Sequence, residues 1–96
     1  PHFNLLTAMP RYIIERNVGA ITREQLTAAG KTSNGVLADM PEVVWVKSYV
    51  SDAEGKIYCE YIAPNPEAVL EHARRAGLPA DKISLVSLEI SPDMFA

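Results

Sequence analysis

Five side chains of this chain carry reactive or ligating groups whose placement is worth asking about: Glu15, Glu60, Lys47, Cys59 and His72. Two carboxylates on one surface can share a proton for acid–base work or hold a cation. Glu15 lies in Arg11–Arg16 and Glu60 in Lys56–Ala63, both β-forming runs, and the bland alternative is that each simply pairs with a neighbour such as Lys47. His72 is the only histidine inside the expected domain. A neutral imidazole ligates metals and titrates near physiological pH. No second histidine stands at metal spacing, so the plain reading is a boundary histidine making one hydrogen bond. Cys59 reads first as a small buried hydrophobe. A nucleophilic role would need a neighbouring base, and His72 supplies one only if its helix packs over the strand bearing Cys59. There is no glycine-rich phosphate loop, no Gly-x-Ser-x-Gly elbow and no Cys-x-x-Cys.

These residues sit on a regular succession of elements. Arg11–Arg16 is rich in β-branched and aromatic residues and reads as a strand. Thr22-Arg23-Glu24-Gln25 has the form of a capping box, opening a helix from Arg23 to about Leu37. Gly30 and Gly35 weaken that helix and suggest a close approach to the sheet. Val43–Ser51 and Lys56–Ala63 read as a hairpin about Asp52-Ala53-Glu54-Gly55. Asn65, Pro66 and Glu67 start a second helix. Arg74 and Arg75 lie in its last turn, and Gly77 and Pro79 end it. Lys82–Ile90 is the fourth strand.

The order βαββαβ predicts an α+β, ferredoxin-like sandwich: a four-stranded antiparallel sheet with two helices on one face. Strands one and three are expected at its centre, parallel to each other. Alternation then assigns the faces. Val44, Val46, Ser48, Val50, Ile57, Cys59, Tyr61 and Ala63 fall on the helix-covered side. Ile13, Glu15, Trp45, Lys47, Tyr49, Tyr58, Glu60 and Ile62 fall on the open side. A one-residue bulge would swap any strand's faces. Glu15, Trp45, Lys47, Tyr49 and Glu60 are the candidate ligand-binding set on the open side. His72 and Cys59 are the candidate metal ligands on the other. An aromatic, partly apolar face rarely just meets water, so a homodimer through it, of the α+β barrel type, is the expected assembly.

The chain has 96 residues, 48% of them hydrophobic and 22% charged, which fits one domain. Residues 9–92 form that domain, and residues 1–8 are expected to be an extension or tag, with Met9 as the natural start. A net charge of -3 and no basic face argue against nucleic acid as a partner. No apolar run reaches the length of a membrane span and no signal peptide is evident. The single cysteine fits the reducing cytoplasm.

Four blocks also carry a resemblance: Met9–Arg16 (MPRYIIER), Trp45–Asp52 (WVKSYVSD), Lys56–Pro64 (KIYCEYIAP) and Glu71–Ile83 (EHARRAGLPADKI). Together they resemble a small bacterial family of ferredoxin-like proteins of uncharacterised function, often labelled nickel-binding after a streptomycete relative. The resemblance spans about Pro10 to Val86 and implies the same fold, a dimer and a possible nickel or other divalent metal as ligand. Many relatives so labelled carry histidines after strand one and before the proline beyond the second helix. Here those stretches read Asn17-Val18-Gly19-Ala20 and Gly77-Leu78-Pro79. Ser33 stands where some relatives have a cysteine. Cys59 and His72 remain, and a complete site would draw on Glu15 or Glu60 or on a partner chain. The expected function is a small dimeric binding protein for a divalent metal or a small ligand. The alternatives are a small dimeric α+β barrel enzyme acting on an organic molecule, with a glutamate as base, or a non-catalytic interaction module.

Overall fold

A computed structural model describes residues 9–95; the expected extension over residues 1–8 lies outside them. The elements are β1 (Arg11–Asn17), α1 (Arg23–Ala38), β2 (Val44–Ser51), β3 (Lys56–Ile62), α2 (Pro66–Ala76) and β4 (Lys82–Val86), then a 3-10 turn over Pro92–Phe95. The fourth strand stops at Val86, short of the expected Ile90, where its pairing with Arg11 of β1 ends.

Local chemistry sets the helix ends. The Thr22 hydroxyl accepts from the Gln25 amide at 3.0 Å, and the Gln25 side chain accepts from the Thr22 amide at 2.9 Å. Two otherwise orphaned donors are thus satisfied. Asn65 caps α2 by accepting from the Ala68 amide, and Gly77 closes it in the left-handed region at φ 68°. At the hairpin, Gly55 has φ 63°, and its carbonyl accepts from the amides of both Val18 and Gly19. A Cβ on Gly55 would come within 3.0 Å of the Gly19 Cα, so this crossing of two loops needs glycine on both counts.

The sheet order is β2-β3-β1-β4, with every neighbour antiparallel. This is the expected fold with one correction. β1 and β3 are central, but antiparallel rather than parallel. The crossover through α1 makes β1 and β2 run the same way, and β3, turned back by the hairpin, inserts between them. Both helices lie on one face. The buried residues of β1 and β3 alternate as Tyr12, Ile14, Arg16 and Ile57, Cys59, Tyr61, and all of these but Arg16 meet Val69 of α2 in one core with Met40, Val43 and Ala63.

A second correction concerns β2. Trp45 pairs with Tyr61, yet Lys47 pairs with Glu60, so Val46 is an extra residue in the ladder. This bulge moves Trp45 to the helix-covered side with Tyr61, and Val44, opposite Ile62, to the open side. From Lys47 onward the expected alternation holds.

A candidate ligand cavity between helix and sheet

α1 turns Leu26, Ala29, Gly30 and Ser33 toward the sheet, a spacing of one helical stripe. Three of the four are small. The strands opposite do not close the gap, and a cavity of about 270 Å³ remains between them. Its wall is mostly apolar, from residues such as Ile57, Val50 and Leu78, with the Trp45 ring and the Cys59 thiol beside them. The expected close approach at Gly30 and Gly35 is absent: a Cβ at either would meet nothing within 4 Å. The indole of Trp45 donates to the Ser48 hydroxyl at 2.9 Å, which fixes the ring at the wall.

A buried polar network stands at this cavity. Arg16, on β1, is 1% exposed and lines the wall. Its guanidinium donates to the Pro79 carbonyl at 2.6 Å and to the Tyr61 hydroxyl at 3.3 Å, and its Nε has no partner among the described residues. The Tyr61 ring lies 5.8 Å beneath the same guanidinium and 5.3 Å from the His72 ring. His72 is fully buried rather than bordering the stripe, because α2 packs directly on Tyr61. Its Nε2 lies 3.0 Å from the Ser33 hydroxyl, bridging α1 and α2, while Nδ1 has no partner among the described residues. Burial, aided by the charge of Arg16, holds the imidazole below its ordinary pKa, and the bond with Ser33 opposes this only in part. Burial likewise raises the Tyr61 phenol, against the pull of Arg16. At neutral pH Arg16 is therefore the one charge in the network.

The residues singled out in the sequence divide between the two faces. Glu15, Lys47, Tyr49 and Glu60 share the open side, without Trp45. Glu60 is bound by Arg11 at 2.7 Å, and Glu15 lies between Lys56 at 3.7 Å and Lys82 at 3.9 Å. Opposite Glu60 in β1 is Ile13, and opposite Glu15 in β3 is Tyr58. The carboxylates are thus diagonal neighbours, each with its own cation, rather than a pair sharing a proton. Lys47 sits over the Tyr49 ring at 5.7 Å. Cys59 and His72 both belong to the covered side, but among the described residues no hydrogen bond joins them, and Ser33 holds the imidazole instead. No three His, Cys, Asp or Glu residues among those described gather as metal ligands. The described donors therefore do not by themselves fit nickel, which needs several at once. Sequence reasoning missed Arg16 and Ser33 as site residues. The signal for Arg16 was available: it alternates with Tyr12 and Ile14 on the buried face of β1.

The order βαββαβ with the sheet order β2-β3-β1-β4 makes this a ferredoxin-like α+β domain. Within it the chain belongs to the family described as "Nickel responsive protein SCO4226-like", which matches residues 12–86. It is similar to the crystal structure of SCO4226 from Streptomyces coelicolor A3(2), at 32% identity and a TM-score of 0.74, over 83% of this chain and 99% of that one. No curated protein matches it.

Proposed function

We propose that this protein is a small binding protein whose ligand occupies the cavity between α1 and the sheet. The observation that carries the reading is the cavity itself. Its volume of about 270 Å³ is that of roughly nine waters, close to the lower end of known ligand sites. Apolar walls with a few convergent polar groups, here Arg16, Ser33 and Tyr61, are the usual make-up of such sites. Trp45 is the only tryptophan and lines the wall, so its emission reports on occupancy.

The test pairs a thermal-shift screen of small organic ligands with Trp45 fluorescence. Ligands that stabilise the wild type and shift the emission, but do neither in Ala29→Leu, support the reading. Ligands that stabilise both proteins equally would remove it. The same reading takes the protein to be a homodimer through the open face, where Tyr49 is 62% exposed beside Lys47 and Glu60. Light scattering of wild type and Tyr49→Glu checks this: a dimer for the first and a monomer for the second.

The family's description brings nickel to this chain as a second ligand to test. His72 Nδ1, buried and without a partner, favours it. His72 lies on the covered side of the sheet, away from the open face, so the test is calorimetry with nickel on wild type and His72→Gln: weaker binding by the variant supports His72 as a donor, and equal binding removes it.

A further inference from the structure

We infer that the cavity takes a small organic acid, one carboxylate on an apolar body, with the carboxylate held by Arg16. The inference rests on the cavity being a ligand site, as proposed above, and names the chemistry of what fills it.

A guanidinium has five N–H donors and no neutral form in proteins. Arg16 is 1% exposed, so water does not solvate it. No carboxylate among the described residues lies within salt-bridge distance of it, and residues 1–8 contain no acidic side chain. Among the described residues its two acceptors, the Pro79 carbonyl and the Tyr61 hydroxyl, are neutral, and Nε has none. Buried charges are ordinarily paired, and this one lines the cavity instead. Its ring neighbour Tyr61, and His72 beyond it, bring no carboxylate to it. A carboxylate in the cavity supplies the missing charge, and the guanidinium fork matches its geometry. One buried cation balances one negative charge, which favours a monocarboxylate over a phosphate dianion. The Ser33 and Tyr61 hydroxyls stand near to orient the polar end, and the apolar walls with Trp45 receive the body.

The experiment uses the full chain and matched probes of about ten heavy atoms: benzoate, phenylacetate and hexanoate against benzamide, phenylacetamide and hexanamide. Trp45 emission and calorimetry are read for wild type, Arg16→Met and Arg16→Lys. At least tenfold tighter binding of acids than of their amides in wild type is expected. Arg16→Met should abolish that preference, and Arg16→Lys, keeping the charge without the fork, should retain part of it. Equal binding of acids and amides in wild type would overturn the inference while leaving the cavity a ligand site. An acid preference that survives in Arg16→Met would overturn it as well. No binding of either series at millimolar concentration would remove this inference and the cavity reading together. If Arg16→Met does not fold, the acid–amide comparison in wild type and Arg16→Lys decides.

Discussion

His72→Gln should flatten the acid side of the stability profile. The imidazole is fully buried, its Nδ1 is unpartnered, and burial and Arg16 both oppose its protonation. Its folded pKa is thus lowered from the ordinary 6.5. In the unfolded chain it titrates normally. The sign follows from proton linkage: above pH 6.5 both states are neutral there, and the full stability is present. As pH falls through 6.5 and on toward the folded pKa, the unfolded state binds the proton first and stability drops. The size of the effect is bounded. One pH unit corresponds to 1.36 kcal/mol, so an imidazole kept neutral down to pH 5 would cost the fold about 2 kcal/mol between pH 6.5 and 5. Urea unfolding followed by Trp45 emission at pH 8, 7, 6 and 5 measures it. Carboxylates contribute to both proteins alike, so the difference between wild type and His72→Gln isolates the residue. The stability lost by wild type between pH 7 and 5 should exceed that lost by the variant by up to about 2 kcal/mol. Identical profiles would refute the assignment of a buried, neutral imidazole.

Arg16→Met should leave the ligand-free protein about as stable as wild type, within about 1 kcal/mol, or more stable. Two hydrogen bonds from a charged donor, about 1.5–3 kcal/mol each, are lost against relief of a desolvation cost of several kcal/mol; a loss above 3 kcal/mol in urea unfolding would make Arg16 a structural keystone. Gly30→Ala should stabilise α1 by about 1 kcal/mol, since the added methyl meets nothing within 4 Å, and a lowered midpoint would show that the space is not there. Gly55→Ala should cost more than about 1 kcal/mol, because φ is positive and its Cβ would meet the Gly19 backbone at 3.0 Å; thermal unfolding reads this. Deleting Val46 should leave both faces of β2 unchanged, because Trp45 and Lys47 already take successive partners, Tyr61 and Glu60. Trp45 emission that turns solvent-exposed in this deletion would contradict the register.

What the sequence made legible was local. Thr22 and Gln25, Asn65 and Pro66, and Gly55 and Gly77 each state their roles in two to four residues, so the element order followed directly. What it hid depended on partners distant in the chain. The bulge at Val46 has no sequence mark, as Val44, Val46 and Val50 alternate with Trp45, Lys47 and Tyr49 as a regular strand would. Its effect was to carry Trp45 from one candidate site to the other. The burial of His72 depends on Tyr61 and Ser33, 11 and 39 positions away in the chain. Ser33 reads as an ordinary small polar residue until α2 brings His72 to it.

The same network weighs metal against anion at the covered face. Cys59 and His72 are the soft donors there, and in isolation they invite a metal. Arg16 changes the balance. A dication near the buried guanidinium is repelled by it, before any donor is desolvated. The same charge attracts a carboxylate. It also depresses the imidazole, which keeps a second positive charge away from the cavity and leaves a neutral ring beside Tyr61. Glu15 and Glu60, which would favour a cation, stand on the opposite face of the sheet and already have Lys56, Lys82 and Arg11. The buried guanidinium on the covered side thus favours the proposed carboxylate over a cation.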